Sequence, residues 1–322
     1  RDSVASRGLG DVYKRQVATS FGLAAALSVV VLGDESGYLS SEHQKMKLAA
    51  IEAMWDTEPA PAAFTAFGFP DKAARETHYA VHIPWVMGLI GTRSLTTEIP
   101  GINDLVQRTE QYIRNGIEAY GALEAIRAAG PTGQVPAEAK AVFEDKGGQL
   151  GYALLLKRYV DDPRQATDAQ IAQAAWDTVP AVGPLFWAFR IMVGLGMFFI
   201  ALTAAFFWLS VRRRLDAHPW MLKLAVIAIP LPWIAAECGW IVAEVGRQPW
   251  IIEGVLPTAL AVSNLGAGTL LLTIAGFIAI YSVLFVIEMK LMVKAIRKGP
   301  QEESAPHLTT YFPLMQKLAR GQ

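Results

Sequence analysis

"GWIVAEVGRQPW", residues Gly239–Trp250, closes a long apolar run, yet it carries Glu244 and, three residues on, Arg247. An ionised side chain at the centre of a membrane helix costs about 2.5–3.5 kcal/mol on insertion scales. A chain that keeps two of them there must hide them or use them. Working outward, the run that this stretch ends is one of four. Apolar segments cover residues 17–33, 185–211, 220–245 and 265–293, and a span needs about 20 such residues. The first is short and abuts the polar, aperiodic "RDSVASRGLGDVYKRQ". Residues 1–16 are therefore expected to be a non-native junction, fused where a longer helix was cut, the alternative being a short native cytoplasmic arm with Lys14 and Arg15 as its basic flank.

Composition agrees with a polytopic chain that also has a large polar part. Of 322 residues 52% are hydrophobic and 18% charged, and the formal net charge is zero, which gives no argument for a nucleic-acid partner. The one cysteine, Cys238, excludes an intrachain disulfide. There is no CxxCH for covalent haem and no GxxxxGK[ST] phosphate loop. Gly194-Leu195-Gly196 follows no strand, so it reads as close helix packing.

Basic residues orient the spans. Arg212, Arg213, Arg214 and Lys223 lie between the second and third spans, and Lys294, Arg297 and Lys298 follow the fourth. The positive-inside rule places both groups in the cytoplasm. Residues 34–184 and 246–264 are then extracytoplasmic, with 212–219 a cytoplasmic loop and 294–322 a cytoplasmic tail. The large outer loop reads as helical, without β alternation. Ser41 with Gln44 is a capping-box pattern opening a helix through Trp55. A second helix is expected over Asp104–Ala129, and a third between Ala137 and Val160, weakened by Gly147-Gly148. A further capping box is expected at Thr167 and Gln170. The fold class is all-α, a polytopic transmembrane bundle with a large helical extracytoplasmic loop.

On a helix, Trp233, Glu237, Trp240, Glu244 and Arg247 fall within about 40° of one line. Lipid does not tolerate such a face, so it is expected to point into the protein. Arg190 and Met192, at the start of the second span, lie at the same depth as Glu244 and Arg247. A carboxylate, a thioether and two arginines fit metal ligation beside anionic groups. They also fit a proton relay, or plain core packing for the methionine. His78 and His82 have the i, i+4 spacing of a metal pair or of two ordinary loop residues.

Eight stretches, in order along the chain, carry a resemblance: "GDESGY" (Gly33–Tyr38), "KLAAIEAMW" (Lys47–Trp55), "RNGIEAY" (Arg114–Tyr120), "LLLKRY" (Leu154–Tyr159), "AFRIMV" (Ala188–Val193), "PLPWIA" (Pro230–Ala235), "GWIVAEVGRQPW" and "VLPT" (Val255–Thr258). The chain resembles subunit I of cytochrome bd-type quinol oxidases, of the long quinol-loop type. The resemblance implies that Met192 ligates a low-spin haem b, Glu244 a high-spin haem b, and that haem d belongs to the same subunit, all non-covalently. It implies that Arg190 and Arg247 serve haem propionates or tune haem potential, that Trp240 packs between cofactors, and that Lys47 and Glu52 serve quinol oxidation. Lys47 and Glu52 are five residues apart, about 140° round a helix, so they do not share a face.

The implied activity is quinol oxidation at the outer face, with O2 reduced to water and protons drawn from the cytoplasm, in aerobic electron transport across a bacterial inner membrane. The implied partners are quinol, O2, subunit II, small accessory subunits and lipid. The quinol loop would be periplasmic. The family's earlier spans and their ligands are not in this sequence, so the chain is expected to be a C-terminal fragment, inactive alone, with an open polar groove between the second and third spans. The other readings are a proton-coupled transporter using Glu237 and Glu244, and a non-catalytic membrane scaffold.

Overall fold

The structure, a computed structural model, describes residues 2–130 and 133–298. Most of the expected tail, including His307, lies outside the described residues. The chain divides into two units, residues 1–262 and 263–322.

The first unit opens with α1 (Asp2–His43), followed by α2 (Lys45–Glu52). The break expected at Gly33–Asp34 does not occur. Gly33 and Gly37 face open space within one continuous helix, and a glycine costs a helix only about 1 kcal/mol. The capping box expected at Ser41 is also not formed. The Ser41 hydroxyl donates back to the Tyr38 carbonyl, and Gln44 starts α2 without a side-chain cap.

The segment after α2 then departs from the helical expectation. β1 (Phe64–Asp71) and β2 (Glu76–Ile83) form an antiparallel hairpin, with Phe64 opposite Ile83 and Asp71 opposite Glu76. Two register shifts, around Phe67, break the period-two alternation that would have revealed it. Next come α3 (Val86–Gly91) and α4 (Ile102–Ala129), which stops at Gly130 with φ 63°. The third expected helix is the predicted interrupted one: α5 (Ala137–Lys146), a 3-10 turn at Gly147–Gln149, then α6 (Leu150–Ala153). The capping box at Thr167 is present and opens α7 (Asp168–Trp176).

The second expected span is α8 (Val182–Val211), 30 residues, about 45 Å long. The third is divided into α9 (Pro219–Ala228) and α10 (Leu231–Val245). Pro230 and Pro232 each remove an amide donor, which ends one helix and starts the next. A small hairpin, β3 (Trp250–Ile252) with β4 (Leu256–Pro257), completes this unit. The second unit contains α11 (Ala267–Lys298), apolar and ending in Arg297 and Lys298. Four helices are thus long and apolar enough to cross a membrane: Tyr13–His43, Val182–Val211, Pro219–Val245 and Ala267–Lys298.

The buried core of the first unit lies in the segment between the first two spans, where α2 packs on the N-terminal end of α8 and on α4, and α7 packs on α4. Ile102, Ile113, Leu156, Leu185 and Phe186 are fully buried there, each contributing about 1.5–3 kcal/mol. The apolar faces of the spans themselves are largely exposed, as a lipid-facing surface would be.

Candidate functional site where α2 meets α8 and α10

Two polar clusters meet the N-terminal end of α8 and the C-terminal end of α10, on opposite sides of α2. The first is buried. Glu52, in the last turn of α2, is 2% exposed, and the Arg190 side chain is 7% exposed. The Arg190 guanidinium donates to Glu52 Oε2 at 3.1 Å, to the Thr65 carbonyl at 2.7 Å, to the Ile51 carbonyl at 2.9 Å and to the Phe186 carbonyl at 3.0 Å. It also lies 3.4 Å from the centroid of the Phe186 ring. The Thr65 amide donates to the same carboxylate. Burial pushes the Glu52 carboxyl up to about 7, against the pull of Arg190 and of the Thr65 amide. Arg190, which the resemblance assigns to a haem propionate, here has its donors engaged by the loop and by Glu52.

The second cluster surrounds a cavity of about 230 Å³. Its walls come from the end of α1, from α2, α4 and α6, and from the turn after α10. Lys47 enters it and donates to Gln44 Oε1 at 3.2 Å. Burial and then Arg247 hold the Lys47 ammonium below its ordinary value, while Glu244 and Glu253 act the other way. The approach is close because residue 246 is glycine: a Cβ there would stand 2.9 Å from Lys47 Cγ. Tyr152 packs against Trp250 with ring centroids 5.2 Å apart, and against Tyr112 at 5.2 Å. Burial pushes the Tyr152 hydroxyl up to about 12. The turn is clamped to α6 where Gly151 meets the Gly254 carbonyl, a contact with no room for a Cβ.

Lys47 and Glu52 therefore do not converge: one lines the cavity, the other lies beneath Arg190. Glu244 and Arg247 do converge, as an i, i+3 ion pair. The Arg247 Nε is buried and has no hydrogen-bond partner. Met192 is partly buried against the core, and its Sδ lies 3.3 Å from where a Cβ on Gly239 would stand.

The face of α10 expected to point inward is exposed among the described residues. The apolar side of the helix, Cys238 and Val242, is buried against the core that α8 shares, while Trp233 and Trp240 are 66% and 64% exposed and Glu237 is exposed with them. Among the described residues nothing covers that face. A larger hollow of about 510 Å³ follows one face of α11 from Phe285 to Arg297 and is lined by that helix alone. His78 and His82 lie on β2, where four residues span about 13 Å, too far apart to share one ion. His78 faces Glu76 and Asp71 instead, and His82 meets Thr65.

Sequence reading missed Arg108, Tyr152 and Glu253 as site residues. Glu253 follows the Trp250 turn by three positions, a local signal, but the other two come from helices whose docking no local pattern shows.

The sequence profile of the family described as "Cytochrome bd terminal oxidase subunit I" matches residues 11–300. The chain is similar to "Cytochrome bd-II ubiquinol oxidase subunit 1" of Escherichia coli (strain K12), at 36% identity over 284 residues, 88% of this chain and 54% of that relative. It is also similar to "Cytochrome bd ubiquinol oxidase subunit 1" of Bacillus subtilis (strain 168), at 28% identity over 294 residues, 90% of this chain and 49% of that relative. The chain spans about half the length of the curated relatives it matches.

Proposed function

This chain belongs to the cytochrome bd terminal oxidase subunit I family, and we propose from that premise that it acts in the haem-bearing subunit of a membrane oxidase that takes electrons from quinol and reduces O2 to water. The observation that carries the reading is the gathering of Lys47 and Arg247 at one cavity with aromatic walls, Arg247 being paired in turn with Glu244. A flat ring with hydroxyl groups suits such walls, and an ammonium can bond its oxygen.

The residues present fit a haem at the exposed face of α10. Glu244 would supply an oxygen ligand to a high-spin haem b there. Arg247 has an unused buried N–H to offer a propionate, and Trp240 offers an open ring face. Met192, with glycine opposite its sulfur, would supply the thioether to a low-spin haem b. When bound, haem iron supplies single-electron acceptance and oxygen chemistry. Arg190 holds the Glu52 carboxylate and the hairpin onto α8, and so keeps the quinol side of the protein registered against the Met192 helix. Haem d, a subunit II, small accessory subunits and a periplasmic position for residues 34–184 complete the proposal, the last resting on the basic residues of the opposite ends.

The test is reduced-minus-oxidised spectroscopy on membranes carrying the assembled oxidase, together with quinol-driven O2 uptake. Haem b signals with quinol-dependent uptake are expected. Membranes with the protein present and neither signal would refute the reading.

A further inference from the structure

The β1–β2 hairpin has a charged tip and an apolar open end. Asp71, Lys72, Arg75 and Glu76 make the tip, whereas Phe67 and Phe69 on β1 and Val81 and Ile83 on β2 are apolar and 42–55% exposed. Trp85, just before α3, and Leu89, within it, are 65% and 59% exposed. Single exposed apolar side chains are ordinary, whereas a run of them on paired strands marks a surface that meets something other than water.

The second span sets the depth of this surface. Arg212, Arg213 and Arg214 follow the last residue of α8, Val211, and fix one membrane boundary there. A hydrocarbon core of about 30 Å takes about 20 helical residues, so it ends near Ile191. The headgroup layer beyond is about 5–8 Å thick and takes in Trp187 and Arg190. The hairpin lies along this same stretch. At its tip Lys72 Nζ donates to the Val179 carbonyl at 2.7 Å, before α8 begins. Phe67 and Phe69 pack on Trp187, with ring centroids 5.3 Å and 5.8 Å apart. Nearer the open end, the Thr65 carbonyl accepts from Arg190 Nε at 2.7 Å. The charged tip therefore stands on the water side and the apolar end at headgroup depth. The first span gives the same level for α3. Its apolar run ends at Gly33, and the next two residues, Asp34 and Glu35, both accept from Arg93 at 2.7 Å. The Arg93 guanidinium also lies 4.4 Å from the centroid of the Tyr38 ring.

We infer that the open end of the hairpin and α3 form a membrane-interface anchor, with Phe67, Phe69, Val81, Trp85 and Leu89 lying in the headgroup layer of the lipid bilayer beside α1 and α8. Aromatic rings favour that layer, and the lipid-facing sides of both spans adjoin it. The same strand carries Thr65, which bonds Arg190 and Glu52, so lipid contact here holds that buried pair at a set depth.

The experiment uses the assembled oxidase in vesicles of phosphatidylethanolamine and phosphatidylglycerol. Val81→Cys and Leu89→Cys each receive a nitroxide label. The unsubstituted protein, treated alike, gives the background, and Glu138→Cys on the exposed face of α5 gives the water reference. Electron paramagnetic resonance measures collisions of the label with O2, which concentrates in lipid, and with a water-soluble nickel chelate. Both labels should show an O2-to-nickel collision ratio several times that of Glu138→Cys. A ratio equal to the reference would place the surface in water, and low collision rates with both reagents would place it under another protein chain; either result would overturn the inference. The two positions lie on different elements, so one decides if the other substitution prevents assembly.

Discussion

Replacing Arg190 with methionine keeps much of the side-chain length and its apolar packing while removing the charge that faces Glu52. Two costs follow, and pH separates them. The Thr65 and Ile51 carbonyls lose a charged donor, at about 1–3 kcal/mol each and at every pH. The second cost is electrostatic. The Glu52 carboxyl is raised from 4.5 to about 7. The stability owed to its neutral form is therefore full below 4.5 and is lost as pH rises towards about 7, where the parent ionises and the loss stops. In Arg190→Met nothing but the Thr65 amide favours ionisation, so the carboxyl stays neutral further and the loss continues. The cost of the substitution should be flat below about pH 7 and should grow above it by about 1.4 kcal/mol per pH unit, or about 2 kcal/mol by about pH 8.5. The assay is unfolding of the purified protein in detergent across that range, followed by tryptophan fluorescence. Placing Arg190→Met in a Glu52→Gln background should remove the slope and leave the constant part. A cost independent of pH, or a slope that survives Glu52→Gln, would refute the reasoning.

Three other outcomes are expected. Gly151→Ala should push the Gly254 turn off α6, costing about 1–3 kcal/mol in an unfolding measurement and raising the KM for quinol by deforming the cavity. Glu244→Ala should abolish the high-spin haem signal in reduced-minus-oxidised spectra while the low-spin signal remains, and a normal high-spin spectrum would remove Glu244 as a ligand. Lys47→Met should raise the KM for quinol about tenfold, equivalent to about 1.4 kcal/mol, with haem content unchanged.

Properties that depend on one element at a time were legible in the residues. Apolar length marked the four spans. The capping box at Thr167, the Gly130 stop of α4 and the Gly147-Gly148 interruption all follow from local backbone chemistry, and all are present. The β1–β2 hairpin was hidden because its register shifts erase alternation. The Pro230 break was legible in principle, since a missing amide donor is a local fact, but the apolar run masked it. What only the tertiary structure decided is which groups face one another. Periodicity placed Glu237, Trp240 and Glu244 on one side of α10, but not the side that would pack: that depends on Cys238 and Val242 fitting the core shared with α8. The five-residue spacing separated Lys47 from Glu52, while only the fold sent one to a cavity with Glu253 and the other beneath Arg190. Helix and turn preferences act within a few residues, whereas an ion pair spanning 138 positions exists only after distant segments have buried their apolar faces against each other.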